Sequence, residues 1–377
     1  MKFILRKVIN ILMKEYTSIG GQAVVEGVMM RSPNAFVVAV RTPEGKIRLR
    51  KDQWFGFSKR IAFFRKPFLR GVIVLIESMA NGIVALNYSA SIAMEEERKQ
   101  EALKKGKSLE SFNEQEDVRK KKEEKVNLGT FFTILFSFAL GMGLFIFLPH
   151  ALTIGLSKLL GTSWDLDSSI FHAVDGVIKA FIFILYIYLI GLIPDVRLVF
   201  QYHGAEHKSI ATFEAGQALT IENARRFSTL HPRCGTTFIF FLLFISIIIF
   251  SVIFAFVPIG KDYPFILKHL SAVLFKISLM LPIAGISYEI IRFAGRKTNV
   301  FCKTLSFPGM MLQKLTTKEP TDAQLEVALA SIKTVLFLEE KFNLKDVHKK
   351  VLSLEEIDVA NLAEIEGASG QLKDFLE

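Results

Sequence analysis

Two short strings carry the residues best suited to chemistry, His203-Gly204-Ala205-Glu206-His207 and His231-Pro232-Arg233-Cys234-Gly235. Together they hold three of the chain's seven histidines and one of its two cysteines. On a helix, His203 and His207 share one face a turn apart, the spacing at which two imidazoles reach one metal ion. His231 and Cys234 form a second close pair, and Pro232 and Gly235 supply a turn that aims both at one point. Neutral imidazole and thiolate are the usual ligands of zinc, so a divalent metal, zinc first, is the expected cofactor. The plainer alternative is histidines near helix ends that only hydrogen-bond backbone or headgroups.

The order His-x-x-Glu-His is that of the inverted zinc proteases, whose glutamate is a general base and not a ligand. Glu206 takes that place here, with Glu214 as a second candidate base. Neither the third ligand nor the soluble domain of those proteases is evident. If His203, His207, His231 and Cys234 all bind, the site is closed and structural. If one steps back, a metal-bound water has room, and Glu206 or Glu214 can activate it. Glu289 lies in the last turns of an apolar segment and is a candidate further ligand; its plainer partner is Arg292 on the same helix face. Lys208 and Arg233 beside the site would suit an anionic substrate, although positive charge beside a membrane explains them as well.

The elements that must hold these residues are apolar. Hydrophobic residues make up 51% of the 377 residues, 35 of them Phe, and the mean hydropathy is +0.36. Four runs, about Gly129–Leu148, Gly176–Ile193, Thr237–Phe256 and Ser271–Phe293, are each long enough to span a bilayer. They predict a mainly α fold, a polytopic membrane helix bundle over 129–300, with the His/Cys strings in the loop 194–236. Residues 71–94 also have the length of a span, but basic residues flank them on both sides. A re-entrant or bundle-packed helix resolves that conflict. Lys and Arg gather in 194–236 and outside the outer spans, whereas 149–175 carries Asp165, Asp167 and Asp175. The positive-inside rule then puts both termini and the His/Cys loop in the cytoplasm of a cell with the bundle in its inner (plasma) membrane. The net charge of +10 follows from those flanks. No reading element accompanies it, so nucleic acid is not an expected partner. Membrane lipids are, with a homo-oligomer or another membrane protein. Two cysteines make no disulfide framework.

Outside the bundle, 1–15 reads as an amphipathic surface helix and 16–70 as a small β-rich cytoplasmic subdomain. Within it Phe36–Arg41 and Lys46–Lys51 form a hairpin, preceded by a strand over Gly20–Arg31. Residues 95–128 read as a charged linker and 301–377 as a cytoplasmic helical tail. In that tail Thr321-Asp322-Ala323-Gln324 resembles a capping box that starts an amphipathic helix.

Four strings in combination, Gly21–Arg31, Tyr202–Lys208, His231–Thr236 and Gly285–Glu289, resemble the YqhQ-like family of bacterial membrane proteins. The resemblance, over roughly 18–335, implies a bacterial inner-membrane location and a metal-dependent enzyme, with no reaction or substrate. Two functions stay open. One is a metal-dependent hydrolase facing the cytoplasm, with His203, His207, His231 and Cys234 around the ion and Glu206 as base. The other is a non-enzymatic scaffold, assembly factor or transporter whose metal is structural or absent.

Overall fold

A computed structural model describes residues 19–53, 61–105, 128–162, 164–166, 168–257, 262–294, 300–345, 355–367, 372 and 375. The expected surface helix over 1–15 and most of the charged linker lie outside the described residues. Four strands come first: β1 (Gly20–Val24), β2 (Gly27–Arg31), β3 (Ala35–Arg41) and β4 (Ile47–Gln53). The stretch read as one strand over Gly20–Arg31 is therefore a hairpin. It turns at Glu26, whose φ of 52° is the left-handed conformation that a reversal needs. β3 and β4 pair as expected, Ala39 opposite Leu49. A fifth strand, β5 (Glu355–Val359), comes from the far end of the chain and pairs antiparallel with β4. The sheet runs β1-β2-β3-β4-β5. Its acidic edge strand suits the basic β4: Arg48 pairs with Asp358 at 2.7 Å and Lys51 with Glu355 at 2.8 Å.

Eleven helices are described: α1 (Leu69–Lys104), α2 (Leu128–Met142), α3 (Leu148–Leu159), α4 (Ser169–Ile190), α5 (Pro194–Glu214), α6 (Ile221–Arg225), α7 (Gly235–Phe256), α8 (Phe265–Ala294), α9 (Val300–Thr316), α10 (Asp322–Lys345) and α11 (Leu362–Gly367). A π-helical turn, Gly143–Phe147, joins α2 to α3. Five helices are long and apolar enough to cross a membrane, over Leu69–Glu95, Leu135–Leu159, Ser169–Ile190, Gly235–Phe256 and Phe265–Ala294. The helix over 71–94 is therefore one continuous rod and not a re-entrant hairpin, because no Pro interrupts it and its glycines pack against neighbours. The first apolar run extends well past Leu148, since Pro149 falls in the first turn of α3, where a missing N–H costs nothing.

The sheet is covered on both faces, so β3 is buried along almost its whole length. Val37, Ala39, Ile47 and Leu49 face Leu325, Ala328, Leu329, Ile332, Val335 and Leu338 of α10. Each such aliphatic side chain contributes about 1.5–3 kcal/mol on full burial. The capping box that starts α10 is formed: the Thr321 N–H donates to Gln324 Oε1 at 2.8 Å, and the Gln324 N–H faces Thr321 Oγ1 at 3.4 Å. On the other face Val24, Met29, Phe36, Val38 and Val40 meet Ala85, Tyr88 and Ile92 of α1. A separate core joins the apolar helices, with Phe241, Ile245, Phe250 and Phe254 of α7 against Phe171 of α4 and Ala272 and Ile283 of α8.

Candidate metal centre

α5 begins at Pro194 after a short break and carries the first string. His203 and His207 sit on one face with ring centroids 4.5 Å apart. Gly204, between them, faces the other way. A Cβ there would fall 2.1 Å from the Lys318 carbonyl oxygen, so only glycine lets α5 lie this close to the segment before α10. The second string is a turn: the Cys234 N–H donates to the His231 carbonyl at 3.3 Å, and Cys234 caps α7 with its sulfur 3.3 Å from the Thr236 N–H. That turn is clamped by Gln313 of α9, which is fully buried. Gln313 accepts from the His231 N–H and donates to the His231 carbonyl, both at 2.8 Å, and donates to Thr237 Oγ1 at 2.7 Å.

The two strings meet. One ligand atom each of His203, His207 and Cys234 lies within 4.8 Å of the others. His203 Nδ1 is 2.9 Å from the Thr316 carbonyl oxygen, and His207 Nδ1 is 2.5 Å from that of Thr229. A carbonyl can only accept, so Nδ1 carries the proton in each ring and Nε2 presents a lone pair. His203 Nε2 is 3.2 Å from Cys234 Sγ. Backbone carbonyls that fix the tautomer and ring angle in this way are the usual outer partners of ligating histidines. Burial lowers the pKa of His207, with Cys234 opposing it, and burial lowers that of His231. Both effects keep the imidazoles neutral, the form that binds metal.

His231 stands beside this trio without joining it. Its ring is 5.7 Å from that of His207, and its Nε2 is 3.3 Å from Glu214 Oε2. Glu214 also pairs with Arg233. Glu206 is buried against β1, its side chain filling the space a Cβ on Gly21 would need. Burial raises its pKa, while His203, His231 and Arg31 hold it down. Arg31 of β2 is itself lowered by burial and opposed by Tyr288, Glu77 and Glu206. Glu289 is placed differently from the expectation of a ligand. It faces Arg70 of α1, whose Nε lies 2.7 Å away, and so serves as the tie between α1 and α8. Lys208 pairs with Glu319 at 2.6 Å and donates to the Arg225 carbonyl. With Arg233 on Glu214, both cations beside the site are already occupied.

Sequence reasoning missed two things. Gln313 is one: it shares the buried face of α9 with the small and polar residues Ser306, Gly309 and Thr316, and nothing in that pattern singles it out. The other is a second histidine cluster in the apolar helices. His150 of α3 and His269 of α8 are 2.8 Å apart through Nε2 and Nδ1, and His172 of α4 donates from Nε2 to the Leu166 carbonyl at 2.7 Å. Close by, Asp175 of α4 pairs with Lys276 of α8 at 2.8 Å and with Lys179 at 3.7 Å. His172, Asp175 and Lys179 share one face of α4, but His150, His269 and Lys276 come from other helices and only the packing brings them there.

A family model for proteins of unknown function, DUF1385, matches residues 66–337. The chain is 33% identical over 325 residues to uncharacterized protein YqhQ of Bacillus subtilis (strain 168), an alignment that covers 85% of this chain and 92% of that one. No solved structure matches. The matched span contains His203, Glu206, His207, His231 and Cys234, and the chain belongs to the DUF1385 family.

Proposed function

We propose that the chain is a multi-pass protein of the bacterial inner membrane whose cytoplasmic side carries a zinc-type metal centre used for hydrolysis. The observation that carries this reading is the convergence of His203, His207 and Cys234, with each imidazole pinned at Nδ1 by a backbone carbonyl. Two imidazoles and a thiolate are a donor set that zinc accepts with one position left for water, the arrangement of catalytic sites. A bound ion would supply a water of lowered pKa or polarise a carbonyl or phosphoryl oxygen. The rest falls to the chain. Glu206, on the same helix and buried beside the ligands, takes the proton from the attacking water. Glu214 holds His231 and Arg233 in place at the mouth of the site. Lysine and arginine in 194–236, against aspartates in 149–175, support a cytoplasmic metal centre and cytoplasmic termini. Lipids, a second copy or another membrane protein are the partners this location suits.

A structural metal is the second reading, and His231 favours it. Turned away from Glu214, its ring would be the fourth ligand, and the protein would be a stapled scaffold, assembly factor or transporter. Cobalt(II) loading separates the two. An open site predicts a thiolate-to-cobalt absorption band in wild type that shifts when azide is added and vanishes in Cys234→Ser. A band indifferent to azide would favour the closed, structural site, and no band at all would remove the metal from both readings.

A further inference from the structure

Five helices have the length and composition to cross a membrane, but the sheet does not allow all five to do so. β4 and β5 are hydrogen-bonded neighbours, so residues 47–53 and 355–359 lie on one side of any bilayer. The chain between them must cross an even number of times. α5 narrows the choice, because Glu206 packs on Gly21 and the Tyr202 hydroxyl lies 3.3 Å from Glu26. It therefore shares the side of the sheet. Between β4 and α5 stand three apolar rods: α1, the rod formed by α2 and α3, and α4. At least one of them does not cross.

α1 is tied to the sheet's side along its length. Ala85, Tyr88 and Ile92 form part of the sheet's core, and Gly82 lies against Gln22. At its other end Gly71 packs on Tyr288, and Arg70 pairs with Glu289 in the last turns of α8, before the chain enters α9 and returns to the sheet through α10. Opposite the buried stripe, Ile76, Met79, Ile83, Leu86 and Met94 are exposed, with Met79 at 59%. Their spacing keeps them on one helix face. Arg65 and Lys66 precede this stripe and Lys104 and Lys105 follow it.

We infer that α1 is not a span but lies along the cytoplasmic surface of the bilayer, with Ile76, Met79, Ile83, Leu86 and Met94 seated among the acyl chains and the sheet on its back. This rests on the membrane reading above. Both basic flanks then meet anionic headgroups, and an apolar face meets apolar chains, as in other interfacial helices. The sheet, and with it Glu206 and the metal ligands, is held close to the lipid surface by this layer.

The test uses the full chain in nanodiscs containing anionic lipid. Spin labels go on Ile76→Cys, Ile83→Cys and Met94→Cys, one at a time, with Ile248→Cys on α7 as the control. Membrane depth is read from collisions with oxygen and with a nickel chelate. An interfacial α1 predicts three shallow depths within about 5 Å of one another, one helical turn. A spanning α1 predicts a graded change of about 27 Å from position 76 to 94. That gradient would overturn the inference, as would labels accessible to the nickel chelate as in water, or shielded from both reagents by protein. A water-exposed Ile248→Cys control would instead sink the membrane reading itself.

Discussion

Two clusters of three histidines occupy this molecule, and they differ in what the imidazoles face. At His203, His207 and His231, two rings hand their Nδ1 protons to backbone carbonyls and turn toward a cysteine sulfur. At His150, His172 and His269, one pair of rings bonds to itself and the third to a carbonyl, beside a carboxylate that two lysines already hold. Each cluster is buried except for one half-covered ring, His203 in the first and His269 in the second, and both join segments distant in sequence. Only the first offers converging lone pairs with a soft donor and no cation among them. The second has Lys179 and Lys276 where a metal ion would be repelled. Lys276 also lies over the rings of Phe171, Phe250 and Phe254 at 5.7–5.9 Å. The second cluster leaves His150 Nδ1, His172 Nδ1 and Asp175 Oδ1 without a protein partner among the described residues. Polar atoms buried in that way usually hold ordered water. Counting histidines therefore says less than asking which nitrogen each one spends on its support.

Removing a ligand separates the two clusters most sharply. His203→Ala or Cys234→Ser should abolish retained metal, while His150→Gln should leave it at the wild-type level, both read by elemental analysis after dialysis. Equal loss in all three would mean that the metal reading confuses binding with folding. Next in size is the ion pair. Lys276→Met leaves Asp175 with only the longer pair to Lys179, and breaking a buried pair from one side costs up to about 3–5 kcal/mol. Thermal unfolding should fall markedly, and the double variant Asp175→Asn with Lys276→Met should recover much of the loss. Metal content should not change in either. A smaller effect is expected at Gln313→Ala. It touches no metal, but it frees the turn that presents His231 and Cys234, and outer partners of a metal site are worth about 10–100-fold in affinity. A competition titration with a zinc chelator would measure it. The smallest is Thr321→Ala, which removes half of the capping box and should cost about 1 kcal/mol of stability with metal affinity untouched.

Much of this was readable in the residues, for physical reasons that differ from place to place. The β3–β4 hairpin was visible because Ile47 and Leu49 alternate with Arg48 and Arg50 around a turn at Thr42–Gly45. α10 was visible because its capping box and apolar spacing agree. The His203–His207 pair needed only the helical repeat. β5 was not visible: Glu355–Val359 has only two apolar residues, Ile357 and Val359, and its partner strand lies some three hundred residues earlier. Glu289 pairs with Arg70 of α1 and not with Arg292 of its own helix, and an ion pair across helices leaves no local pattern. Whether α1 crosses or lies along a bilayer is not written in its composition, because length and hydropathy are the same for both.

On the proposed function, His203, His207 and Cys234 hold one metal ion beside a base, Glu206, that does not itself bind it. Elemental analysis of the purified full chain in nanodiscs, prepared without chelator, tests it most directly. About one zinc per chain is expected in wild type and in Glu206→Gln, and essentially none in His203→Ala. No retained metal in wild type after incubation with zinc, or the same content in His203→Ala, would contradict it.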